Sequence, residues 1–211
     1  REFADPDNMD FRLQGDSQFR GSGPGGKDFG PYEYVANVFF VKRDGDDAKD
    51  GLSVRTAWQS LERAVIGRKP GDTIYLIDYP VKEFSLINPV TLVGTPEAPI
   101  YIRTRGKRNT PVIGNNHFVN CSNLVIERVN LCEAATFENG QNITLRQCRD
   151  FPMFKAWRFT GVKNLTIDHC VFRGQTDLVL ENCSDAQITG SMIDSKIQAQ
   201  TSSDRKSTRL N

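Results

Sequence analysis

Four segments of the chain repeat one another at a short and nearly constant interval. They read "FVNCSNLVIERVNL" from Phe118, "FENGQNITLRQCRDF" from Phe137, "FTGVKNLTIDHCVF" from Phe159 and "LENCSDAQITGSMI" from Leu180, with starts 19, 22 and 21 residues apart. Within them Phe118, Phe137, Phe159 and Leu180 form one column, and Asn123, Asn142, Asn164 and Asp185 another. After each polar member the apolar residues alternate (Leu124 and Ile126, Ile143 and Leu145, Leu165 and Ile167, Ala186 and Ile188), which is the period of a strand with one face inward. A unit of about 20 residues cannot bury such a face by itself. Stacked about 4.8 Å apart, successive units cover one another and pair their backbones along the axis.

The expected fold is therefore all-β, a right-handed parallel β-helix with a short capping helix near its N-terminal end, the hand following the usual sense of parallel crossovers. A leucine-rich repeat of similar length would need a leucine-heavy consensus and a helical half, and neither is present. The asparagine column predicts a stacked amide ladder at a turn. Two further columns, Val129, Cys148, Cys170 and Ser191, then Leu131, Phe151, Phe172 and Ile193, predict interior stacks. The first half is less regular. Thr73 to Ile77, Val90 to Gly94 and Ile100 to Thr104 read as strands divided by prolines. Ala57 to Val65 reads as the helix, with Thr56 and Gln59 at capping-box spacing and Trp58, Leu61 and Val65 on one face.

Two stretches of this first half, "VFFVKRDGDDAKDGLSVRTAWQSLERAVIGRKPGDTIYLI" from Val38 and "GTPEAPIYIRTRG" from Gly94, resemble the opening coils of the pectate-lyase-like β-helix superfamily. The resemblance covers roughly residues 38–196. It implies a fold shared by lyases, hydrolases, esterases, isomerases and non-catalytic proteins, so it does not imply one reaction. One departure is that Asp78, Tyr79 and Pro80 follow the Thr-Ile strand where related sequences carry a Gly-x-Tyr turn. Residues 1–34 resemble the closing segment of an upstream β-helix module or a linker, and residues 35–203 form the N-terminal part of the β-helix domain. The tail at 204–211, "DRKSTRLN", resembles translated adapter sequence and is set aside.

Composition narrows the partners. Lysine plus arginine number 27 against 26 acids in 211 residues, so no net field selects nucleic acid or anionic lipid. No apolar run reaches the roughly 20 residues of a membrane helix. Five cysteines without a C-x-x-C pair suit neither a zinc knuckle nor a complete disulfide framework, and Cys148 and Cys170 are expected as stacked buried thiols. The resemblance to the β-helix superfamily implies a polysaccharide partner, acidic in character, met outside the cell or on its surface.

Several motifs carry chemistry. "GSGPGGK", Gly21 to Lys27, has phosphate-loop spacing but places Asp28 where a magnesium-binding hydroxyl belongs, and reads as a turn. "DGDDAKDG", Asp44 to Gly51, lacks the acids of a calcium loop and also reads as a turn. Asp168, His169 and Cys170 lie side by side, but strand alternation predicts that they point apart. Outward columns Glu127, Arg146, Asp168, Thr189 and Arg128, Gln147, His169, Gly190 read either as a charge ladder on a solvated sheet or as a groove.

Eliminating across a uronic acid requires neutralising a carboxylate and removing a carbon-bound proton. Arg146, His169 and Arg128 are the candidate catalytic residues. Lys155, Trp157 and Arg158, on a longer excursion between repeats, and Glu127 and Asp168 are the candidate substrate contacts. No cofactor is expected, since calcium would want several carboxylates and only Glu127 and Asp168 offer themselves, with Arg146 between. The leading expectation is a polysaccharide lyase-like module. A non-catalytic adhesion solenoid and a glycoside hydrolase using Glu127 and Asp168 are the alternatives.

Overall fold

A computed structural model describes residues 3–5, 10–13, 17–19, 22–26, 37–77, 84–105, 110–114, 116–131, 134–149, 156–173, 177–194 and 196–200. Parallel strands wind into a three-faced solenoid. The long face holds Val38–Lys42, Thr73–Ile77, Ile100–Thr104, Ser122–Glu127, Gln141–Arg146, Lys163–Asp168 and Gln187–Thr189, in that spatial order and all parallel. Chain order and spatial order coincide because each circuit returns one strand spacing further along the axis. A second face holds His117–Val119, Ala135–Glu138, Trp157–Thr160, Leu178–Glu181 and Ile197–Gln200. The third is shorter: Phe84–Leu86, Thr110–Gly114 and Val129–Leu131 pair, and Val171–Phe172 pairs with Met192–Ile193.

The repeat columns become physical stacks. Phe118 lies 4.8 Å from Phe137 and Phe137 4.9 Å from Phe159, rings within 9° of parallel, with Leu180 next in register. Asn123, Asn142, Asn164 and Asp185 all have positive φ, which asparagine tolerates, and so they turn the chain between the second and long faces. Asn164 donates to Asn142 and Asn142 to Asn123, each at 2.8 Å, and Asn123 donates to the Gly94 carbonyl at 3.0 Å. At the next corner the Cys148 thiol donates to the Ile126 carbonyl, the Cys170 thiol to Leu145 and the Ser191 hydroxyl to Ile167. Thiols and a hydroxyl thus serve carbonyls at the bends. The four described cysteines are free, and burial pushes the Cys148 thiol well up and that of Cys121 to about 11. Cys132 and Phe151 lie outside the described residues.

The opening coil departs from expectation in three ways. The helix spans only Leu61–Val65, and its cap is Ser60, whose hydroxyl accepts from the Arg63 amide. Thr56 bonds Ser53 instead. Trp58 is not helical: it bridges Val41 in parallel and exchanges backbone bonds with Phe40 and Lys42 at 2.9 and 2.7 Å. The segment from Gly51 to Trp58 thereby occupies the outer edge of the first strand, the edge that would otherwise invite aggregation. Val90 to Gly94 is a bend with isolated bridges from Val90 to Phe118 and from Val93 to Ser122 rather than a strand. The helix packs on Val38–Lys42 and Phe84–Leu86, and Glu62 accepts from the Ile87 and Asn88 amides of the following coil.

Phe3–Asp5 and Asp10–Leu13 pair antiparallel, apart from the solenoid sheets. Pro24–Gly26 in the glycine-rich stretch is a single 3-10 turn. Residues 78–80, at the expected departure from related sequences, lie outside the described residues. No helix among the described residues is long and apolar enough to cross a membrane.

Candidate functional site

The outward column on the long face is longer than the repeats alone show. In register it runs Phe40, Tyr75, Arg103, Glu127, Arg146, Asp168, Thr189. Its first members are covered: Ala57 and Val54 lie with Val38, Phe40, Tyr75 and Ile77 in a small outer cluster. From Arg103 onward the column meets solvent. Arg103 pairs with Glu127 at 3.2 Å, and its guanidinium lies 4.2 Å from the Tyr101 ring centroid. Arg146 pairs with Asp168 at 3.4 Å through Nε, while its side chain stays 46% exposed. Tyr75, Tyr101 and Arg103 went unnoticed in the sequence because they lie outside the four regular repeats.

Asp168 and His169 meet, contrary to the alternation argument. The strand ends at Asp168, and His169 takes a positive φ of 49°, as Arg128, Gln147 and Gly190 do at the same corner with φ of 57°, 52° and 56°. The reversal brings His169 Nδ1 to 2.7 Å from Asp168 Oδ1. Thr189 Oγ1 donates to the same oxygen at 2.9 Å. Cys170 does turn inward and is fully buried. The corner therefore builds a dyad rather than a triad.

Hydrogen bonds from His169 and then Thr189 hold the Asp168 carboxyl below the usual aspartate range, with slight burial opposing and Arg146 assisting. An ionised carboxylate only accepts, so Nδ1 of a neutral His169 carries the proton and Nε2 has the lone pair. The ring is 65% exposed and lies over Gly190, where an added Cβ would sit 2.7 Å from Nε2. Glycine there gives the ring its place.

The remaining candidates separate from this corner. Arg158 lies on the second face, paired with Glu181, whose other oxygen accepts from Thr160 at 3.3 Å. Trp157 is fully buried, edge-on to Phe172 at 4.8 Å, and stacks in register between Ala135 and Leu178. A core ring of this kind cannot stack on a sugar, so the expectation for Trp157 is corrected. The excursion rejoins the sheet before Trp157, sooner than its sequence suggested. Lys155 lies outside the described residues. Arg128 stays with the corner, its carbonyl accepting from Thr104 Oγ1 at 2.7 Å.

The acid-rich turn works internally. Asp46 accepts from the Ala48 amide and Asp50 from the Leu52 amide, both at 3.0 Å, and Asp47 takes the Gln59 and Ser60 amides and the Ser60 hydroxyl. Among the described residues no three His, Cys, Asp or Glu side chains gather as a metal would need.

No protein-family model and no curated protein matches the chain. Solved structures do. GH136 lacto-N-biosidase from Eubacterium ramulus aligns in selenomethionine and native forms at 15% and 14% identity, each with TM-score 0.56 and covering 74% of this chain and 41% of that one. A rhamnogalacturonan lyase aligns at 10% identity and TM-score 0.47, over 82% of this chain and 65% of that one. The chain thus spans about two-fifths of the length of the lacto-N-biosidase, and what the two share at this identity is architecture. The winding of the strands and the likeness to the lacto-N-biosidase together show a parallel β-helix fold.

Proposed function

We propose that the chain is a carbohydrate-directed β-helix module of a secreted or surface protein, and that it acts as a polysaccharide lyase on an acidic polysaccharide. The Asp168–His169 contact carries this reading, since it fixes the tautomer that leaves Nε2 as an exposed base. The carbohydrate direction is further supported by the lacto-N-biosidase, a sugar-directed enzyme by its name, on the same architecture. Fold likeness by itself assigns no reaction.

In the proposed step a uronic acid lies against the corner with its carboxylate on the exposed guanidinium of Arg146, which accepts it as a planar fork. His169 Nε2 takes the proton from the carbon next to that carboxylate. The electron pair becomes the new carbon–carbon double bond as the glycosidic carbon–oxygen bond on the neighbouring carbon breaks, and the departing oxygen takes a proton from solvent. Arg146 offsets the charge that builds on the carboxylate, Asp168 steadies the imidazolium, and Arg128, two rungs earlier on the corner, adds positive potential.

The hydrolase alternative would use Glu127 and Asp168, and each is already engaged by an arginine, whereas hydrolysis needs one of the pair to deliver a proton. The test is the ultraviolet absorbance of unsaturated products with polygalacturonate, alginate, chondroitin sulfate and hyaluronate. A rise is expected with at least one polymer, lost by about 10²-fold or more in His169→Ala with the circular dichroism spectrum unchanged. No rise with any acidic polymer overturns the lyase reading. New reducing ends without absorbance would mark a hydrolase, and binding with neither would mark an adhesion module.

A further inference from the structure

We infer that the long face is built for an acidic polysaccharide carrying a carboxylate on every second sugar, an alternating uronate copolymer, rather than for a homopolyuronate. The inference rests on the reading that this face binds acidic sugar polymer, and names which kind.

From Glu127 onward, each circuit sets two residues beside the corner, one ending the strand and one at the turn. Successive rungs carry Arg103, whose neighbour Thr104 turns inward and is buried, then Glu127 with Arg128, Arg146 with Gln147, Asp168 with His169, and Thr189 beside Gly190. Counted rung by rung over arginines and carboxylates, the charge is positive at Arg103, balanced at Glu127 with Arg128, positive at Arg146, and negative at Asp168. Positive rungs thus recur every second step, about 10 Å apart at the strand spacing. The next outward column, Tyr101, Val125, Thr144, Thr166 and Gln187, is uncharged, so it smooths none of this alternation.

An extended pyranose chain lying along the solenoid axis advances about one rung per sugar. A carboxylate on alternate sugars would meet Arg103 and then Arg146, while the intervening sugars face Glu127 and Asp168, whose oxygens accept hydroxyl or amide hydrogens. A homopolyuronate in the same register would set a carboxylate against Glu127 and another against Asp168, and like charges so placed repel. The covered start of the column, under Val54 and Ala57, sets Arg103 near one end of the strip. Arg146, 46% exposed and bound to Asp168 through Nε, keeps its other nitrogens for a second carboxylate, whereas the Arg103–Glu127 pair is half-buried and opens a carboxylate site only where it meets solvent.

The experiment compares dissociation constants of the full chain, at low salt, for size-matched oligomers of polygalacturonate and of hyaluronate, in the natural sequence and in Glu127→Gln. The substitution keeps an oxygen for Arg103 and removes one repelling charge. The alternating polymer should bind about tenfold more tightly to the natural sequence, and Glu127→Gln should narrow the ratio several-fold by strengthening polygalacturonate binding. Equal or tighter binding of polygalacturonate, or a ratio that Glu127→Gln leaves unmoved, overturns the inference while the carbohydrate reading stands. If neither oligomer binds, the reading of this face as a polymer site falls, and the inference with it.

Discussion

The regular coils and the opening coil solve the same problem by different means. From residue 116 to residue 194, each rung is covered by a near copy of itself, so one kind of contact recurs: phenylalanine on phenylalanine, asparagine on asparagine, thiol or hydroxyl to a carbonyl below. From residue 38 to residue 77 no earlier copy lies beneath among the described residues, and the coil is closed by contacts made once. Phe39 stacks on Trp58 at 5.3 Å, the Trp58 indole donates to the Lys49 carbonyl at 2.7 Å, and Arg68 lies 3.7 Å from the Phe39 ring centroid while pairing with buried Asp72. A repeat distributes its stability among neighbours, whereas a cap concentrates it in a few long-range contacts.

The largest effects should separate the two regimes. Phe137→Ala opens a cavity in the middle of the ring stack and is expected to cost about 3 to 5 kcal/mol. Trp58→Ala removes a ring of similar burial and should cost a similar amount. Their reach should differ. Hydrogen exchange should show Phe137→Ala loosening the strands on both sides, His117–Val119 and Trp157–Thr160, and Trp58→Ala loosening mainly residues 38–77. Equal loosening of every strand in both variants would mean that the solenoid melts as one unit and that the contrast has no energetic basis.

The same contrast explains what was legible before the structure. Columns such as Phe118, Phe137 and Phe159 repeat in sequence because they repeat in space, so the parallel coil and the amide ladder could be read from residue types and intervals. The helix cap could not. By local pattern Thr56, with Gln59 three residues on, is the better cap, and the choice of Ser60 is made by Asp47, thirteen residues earlier, reaching the Ser60 amide and hydroxyl. Trp157 looked like loop because its partners Ala135 and Leu178 sit beside it only once the excursion has closed. At the candidate site the charged column was visible, but the dyad was not. Alternation holds only while φ stays extended, and the sign of φ at His169 depends on a corner set by the stacked turns.

A smaller effect tests the ladder alone. Asn142 both donates to Asn123 and accepts from Asn164, and it does so at a φ of 54°. Asn142→Gly keeps the turn and loses the amide bonds, for an expected cost of about 1 kcal/mol, while Asn142→Ala adds the left-handed strain for about 2 kcal/mol or more. Denaturant midpoints of the two variants give the difference. If Asn142→Gly costs nothing, the ladder only accompanies the turns.

Acid should act on both regions through one aspartate each. Burial raises the Asp47 carboxyl, but hydrogen bonds from Ser60 and Gln59, with Arg63 nearby, bring it below the usual aspartate value, and Asp168 is lowered by His169 and Thr189. A carboxyl lowered on folding contributes stability that is full above its unfolded value and lost as pH falls through the lowered native one. Asp47→Asn is therefore expected to cost about 1 to 2 kcal/mol at neutral pH, a gap that narrows as acid protonates the Asp47 carboxyl below the usual aspartate range. Asp168→Asn, at an exposed site, should cost under about 1 kcal/mol. A gap for Asp47→Asn that persists unchanged at low pH would show that shape, not charge, matters at the cap.

The smallest expected effect concerns Arg158, because the sequence grouped it with the substrate contacts and the structure sets it on another face, paired with Glu181. An exposed pair of this kind is worth under about 1 kcal/mol, so Arg158→Ala should barely move the denaturation midpoint. Its value lies in binding. The residues that turn toward Arg146 and His169 belong to the long face, and Thr136, Arg158 and Val179 follow one another on the second. A polymer lying along the long face would therefore be bound equally well by Arg158→Ala and by the natural sequence, whereas Arg146→Ala would weaken it. If Arg158→Ala weakens binding as much, the polymer wraps the corner between the two faces, and the alternating charge of the long face alone would not decide which polysaccharide is held.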